Sequence, residues 1–71
     1  MFGKYEEIII KIPDMACDKC AKKITNCLER MNNIHKVKVN LITKEVCISY
    51  KNNLDMKLVK EEISNLGYEV E

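Results

Sequence analysis

The chain has 71 residues, 46% of them hydrophobic and 32% charged, with a formal charge of +1. That length sets an expectation of one domain over residues 1–71, and the balance of apolar and charged residues argues against disorder. Near-neutral charge without charged runs excludes nucleic acid as the main partner, and no apolar run is long enough to insert directly into a membrane.

Tyr5 to Ile12 reads as a strand with Ile8, Ile10 and Ile12 on one face and Glu7, Ile9 and Lys11 on the other. Pro13 ends it. After a loop over 14–16, a helix is expected from Cys17 or Asp18 to Met31. Its apolar positions Cys20, Ala21, Ile24, Cys27, Leu28 and Met31 recur every three or four residues, and Asn32 and Asn33 supply the stop. A second strand starts at Ile34, with Val37, Val39 and Leu41 alternating against Lys36, Lys38 and Asn40. A turn over Ile42 to Lys44 leads to a third strand, Glu45 to Tyr50, with Val46, Ile48 and Tyr50 inward and Cys47 outward. Asp55 is placed to cap a second helix that carries Met56, Val59, Ile63 and Leu66, and Gly67 fits the position just past its end. Tyr68 to Glu71 is expected as a short fourth strand. The order predicts an α+β, ferredoxin-like βαββαβ fold, a four-stranded antiparallel sheet with two helices on one face.

The four cysteines stand at 17, 20, 27 and 47. Met1 to Glu7 lack the basic-then-apolar order of a signal peptide, so a cytoplasmic chain is expected rather than a secreted disulfide scaffold. Cys17 and Cys20 form a CxxC where the first strand gives way to the first helix. Their thiolates can converge on one soft ion; Cu(I) suits sulfur donors, and two ligands leave it a low coordination number. The helix-start amides and Lys19, Lys22 and Lys23 favour thiolate charge. No second CxxC or neighbouring histidine completes a four-ligand zinc cage. Asp14 or Asp18 could give one oxygen to a harder ion, and Asp18 also suits a first helical turn. CxxC equally marks dithiol redox sites. Cys27 fits a small core residue at the stripe or its edge, Cys47 the open sheet face, and Met31 and Met56 core packing.

The segment Asp14-Met15-Ala16-Cys17-Asp18-Lys19-Cys20, together with Val39-Asn40-Leu41, the Val46/Ile48/Tyr50 pattern and Gly67-Tyr68, resembles the heavy-metal-associated domain family from about Tyr5 to Val70. That family includes bacterial copper chaperones and metal-binding domains of copper-transporting ATPases. The resemblance implies Cys17 and Cys20 as ligands of one Cu(I) per monomer, Met15 turned into the core beneath the loop, and Tyr68 beside the site. It implies transfer of the ion by thiolate exchange to a metal-transporting P-type ATPase or a homologous soluble domain, across a face rimmed by Asp18, Lys19, Lys22 and Lys23, without enzymatic turnover. Asp14 stands where the family has glycine. It keeps Zn(II), Cd(II) or Hg(II) handling open, beside a domain of a transport ATPase and a dithiol oxidoreductase.

Overall fold

A computed structural model describes residues 5–71; residues 1–4 of the opening stretch, read above as lacking a signal-peptide order, lie outside them. Strands β1 (Glu6–Lys11), β2 (Ile34–Asn40) and β3 (Glu45–Tyr50) and helices α1 (Asp18–Glu29) and α2 (Met56–Asn65) follow the order β1-α1-β2-β3-α2. The sheet runs β1-β3-β2, with β3 antiparallel to both neighbours. β1 and β2 are therefore parallel to each other with β3 between them, the split βαβ arrangement.

Register puts the aliphatic residues on one face. Ile8 lies opposite Ile48 and Ile10 opposite Val46 on β1, while Val37 lies opposite Ile48 and Val39 opposite Val46 on β2. One irregularity breaks the period of two. The pairing shifts between Ile34 and Lys36, so Ile34 and Val37, three apart, both face inward and are buried. Ile24 and Leu28 of α1 and Val59 and Ile63 of α2 close over this face in a single core with Ile10, Ile12, Met15, Val46 and Ile48. The opposite face stays open, with Ile9 61% exposed. Its central row is Ile9, Cys47 and Lys38.

The helix ends follow their local chemistry. Asp55 accepts a hydrogen bond from the Leu58 amide at 3.2 Å and caps α2. α1 stops at Glu29 rather than Met31, because the Met31 amide turns back to the Leu28 carbonyl at 3.0 Å and tightens the last turn. Gly67, at φ +97, takes the left-handed geometry expected past a helix end.

The fourth strand does not form a ladder among the described residues, and the sheet there has three strands. The segment 68–71 instead runs beside β1 on one backbone bond, Glu71 amide to Lys11 carbonyl at 2.8 Å. The Tyr68 amide is already committed to the Ile63 carbonyl at 3.2 Å, closing α2, which leaves too little chain to alternate a ladder. Val70 still packs inward against the core. No helix among the described residues is long and apolar enough to cross a membrane.

Candidate metal centre

Pro13 turns the chain out of the sheet and Met15 anchors it again. Met15 is fully buried in the core, and its amide bonds the Ile12 carbonyl at 3.1 Å. The loop between these two points therefore stands outside the hydrophobic layer and delivers Cys17 to the helix start. Cys17 is the N-cap residue of α1, with extended backbone (φ −148, ψ 169) and no capping hydrogen bond from its side chain. Its carbonyl accepts from the Ala21 amide at 3.1 Å, the first bond of the helix. Its sulfur is left free of the usual N-cap duty and is exposed. Cys20 sits one turn on. Side chains on a helix lean towards its N-terminus, which brings the Cys20 Sγ back over Cys17, 3.2 Å from the Cys17 Sγ.

Cys20 is half-buried, and its thiol is lowered from 9.0 to about 7. The main cause is the Tyr68 hydroxyl near the sulfur; the Cys17 thiol and the Ala16 and Cys17 backbone amides add to it, against a smaller opposing effect of burial. The same pairing with Cys20 pushes the Tyr68 phenol above its usual range, because ionising it would forfeit a donor beside a sulfur anion. Tyr68 comes from the far end of the chain. The α2 terminus, closed by the bonds of Gly67 to Ser64 and Tyr68 to Ile63, aims it there.

The other expected residues divide. Asp18 lies exposed in the first turn of α1, and Lys19 and Lys22 are exposed on the same helix. Lys23, also exposed, borders a shallow cleft between the helices with Cys27 and Glu62. Asp14 is exposed and opens onto a different shallow cleft with Pro13, Glu69, Val70 and Glu71. Cys27 lies at the edge of the stripe, half-buried, its thiol donating to Glu62 Oε1 at 3.6 Å; burial, reinforced by Glu62, raises its pKa. Cys47 is half-buried on the open sheet face. His35 stacks on Tyr5 with ring centroids 3.9 Å apart, at the end of β1 remote from the loop.

Lys44 was not legible as a site residue. Its ammonium donates to the Met15 carbonyl at 2.7 Å, and its own carbonyl accepts from the Ile12 amide at 2.8 Å. In the sequence it is one more lysine in a hairpin turn. The turn itself is shaped by Asn40, whose Oδ1 accepts from the Ile42 and Thr43 amides at 2.9 and 3.2 Å.

Two sulfurs near the surface of a helix start, one with a depressed pKa, form a donor set for a thiophilic ion. Among the described residues, no group of three or more histidine, cysteine, aspartate or glutamate side chains converges to hold a metal. With metal–sulfur bonds of about 2.3 Å, sulfurs around one ion stand ~3.8 Å apart in tetrahedral and ~4.6 Å in linear geometry, so the present pair, at 3.2 Å, is closer than a shared ion would hold it. The Cys17 backbone, outside the helix proper, is where that adjustment is easiest.

The chain belongs to the heavy-metal-associated domain family; the match covers residues 9–69. It is 30% identical over 63 residues to the copper chaperone CopZ of Staphylococcus epidermidis, covering 87% of this chain and 93% of that one. It is 28% identical over 63 residues to the copper-transporting ATPase of Saccharomyces cerevisiae, covering 89% of this chain but 6% of the ATPase. A chain of the Atx1-Cu(I)-Ccc2a complex, known in solution, superposes with a TM-score of 0.82 at 26% identity, covering 96% of this chain and 93% of that one.

Proposed function

We propose that this domain carries one Cu(I) between the thiolates of Cys17 and Cys20 and passes it, by thiolate exchange, to a metal-transporting P-type ATPase or a homologous soluble metal-binding domain. The observation that carries this reading is the convergence of the two sulfurs at 3.2 Å beside Tyr68, while the neighbouring Met15 is spent entirely on the core. Similarity to copper chaperones and to domains of copper ATPases supports the cargo and the class of partner.

In this mechanism the copper remains Cu(I) throughout. A thiolate of the partner adds to the ion, giving three sulfur ligands; one metal–sulfur bond to this chain then breaks, the departing cysteine takes up a proton, and a second partner thiolate displaces the remaining cysteine in the same way. Two-ligand coordination leaves room for that entry. Exposed Asp18, Lys19 and Lys22 rim the entry side, and their mixed charge suits weak, salt-sensitive docking. A dithiol oxidoreductase needs an accessible attacking thiolate. Here the thiol lowered to about 7 is the half-buried one, Cys20, which favours ion holding over attack on a bulky disulfide.

The test loads the reduced protein with one equivalent of Cu(I), mixes it with a purified ATPase metal-binding domain, separates the two and measures copper in each. Transfer is expected from the wild type. Cys17→Ser/Cys20→Ser should load no copper while its apo circular dichroism stays unchanged. A wild type that retains copper but hands Zn(II) or Cd(II) selectively to the partner would overturn the copper assignment.

A further inference from the structure

We propose that Lys44 is a positioning residue of the metal loop, acting through the peptide plane that joins Met15 to Ala16. The inference rests on Cys17 and Cys20 being the metal site. Lys44 adopts φ +63, left-handed backbone in which a residue with a Cβ is uncommon and glycine or asparagine is the ordinary choice. The turn does not use the freedom of glycine there; it holds a side chain long enough to reach the loop. That side chain ends on the Met15 carbonyl at 2.7 Å, a charge-assisted bond, while the Lys44 carbonyl receives the Ile12 amide at 2.8 Å. The hairpin thus grips the chain on both sides of Pro13.

The consequence follows from planarity. The described backbone has no cis peptide, so the carbonyl and N–H of the Met15–Ala16 unit point to opposite edges of one rigid plane. Lys44 holds the carbonyl edge. The N–H edge belongs to Ala16, the residue that leads directly into Cys17 and the start of α1. Fixing the oxygen fixes the plane, and with it the direction in which the backbone enters Cys17. Without the ammonium, the plane is free to rock about Met15, whose side chain is locked in the core.

Three variants separate positioning from mere stability. Lys44→Met keeps most of the stem and removes the charge, Lys44→Arg keeps a donor, and Lys44→Gly removes the side chain while relieving the backbone. Cu(I) affinity is read by competition with a chromogenic Cu(I) chelator, and thermal unfolding is followed in parallel. Loss of a residue that orients a ligand typically weakens metal binding, here by about tenfold in Lys44→Met and Lys44→Gly. Lys44→Arg should recover most of the affinity, and Lys44→Gly should lose affinity without losing thermal stability. In the apo protein the Ala16 amide resonance should move in Lys44→Met and Lys44→Gly as the plane loses its charged partner. Wild-type affinity in both of these variants, or an unmoved Ala16 resonance, would overturn the positioning role. A wild type that fails to bind Cu(I) would overturn the metal site instead, and the Ala16 resonance alone would then decide whether Lys44 sets the plane.

Discussion

Replacing Met15 by alanine and, separately, by leucine distinguishes a core anchor from a third sulfur ligand. Met15 is fully buried among Ile12, Ile24 and the rest of the core. Truncating such a residue to alanine costs about 2–5 kcal/mol, the transfer loss plus the cavity left behind. A chain of 71 residues has roughly 4–11 kcal/mol of stability to lose at typical per-residue values. The substitution therefore removes a large share of the whole, equivalent to a fall in Tm of ~8–40 °C at about 4–8 °C per kcal/mol. Leucine nearly conserves the volume and should cost less than about 1.5 kcal/mol. Urea unfolding of the reduced apo protein, followed by circular dichroism, measures both, and copper stoichiometry is taken on the folded variants. Met15→Leu should keep one Cu(I) per chain. A change below ~0.5 kcal/mol in Met15→Ala, the level of an ordinary surface substitution, would refute the anchoring argument. A stable Met15→Leu that no longer binds copper would make the thioether a ligand.

Tyr68→Phe should raise the Cys20 midpoint above about 7, read from the ultraviolet absorbance of the thiolate against pH. Because the folded thiol is depressed from 9.0 to about 7, its contribution to apo stability is complete above about pH 9 and fades as pH falls through about 7; the variant should lose part of that rise. Cys27→Ser/Cys47→Ser should retain one Cu(I) per chain by X-ray absorption and metal analysis, since these thiols lie in the helix cleft and on the open sheet face. Asp55→Ala should cost about 1 kcal/mol in urea unfolding through loss of the cap on α2.

Strand and helix periodicity located the core almost residue by residue, because burial on one face is a local property of a repeating backbone. The inward set Ile10, Val46, Ile48, Ile24, Leu28, Val59 and Ile63 is legible in this way. The joint burial of Ile34 and Val37 is not, since a shift in pairing belongs to two strands at once. The final strand failed for a similar reason. An alternating Tyr68–Val70 pattern is visible, but the use of the Tyr68 amide by α2 is a matter of geometry. At the candidate site, the CxxC announces its sulfurs through spacing alone. Tyr68 needed the family resemblance to be placed there, and Lys44 had no signal at all, because nothing in a lysine's neighbours says which carbonyl its amine will meet.

The two thiols are neighbours in the chain, whereas the hydroxyl that acidifies one of them comes from the far side of α2. Until α2 closes and swings that tyrosine across, Cys20 lacks the chief cause of its depressed pKa and stays largely protonated in neutral water. A soft ion arriving then has to displace a more tightly held proton. Formation of the Cys20 thiolate is thereby coupled to folding of the far end of the fold.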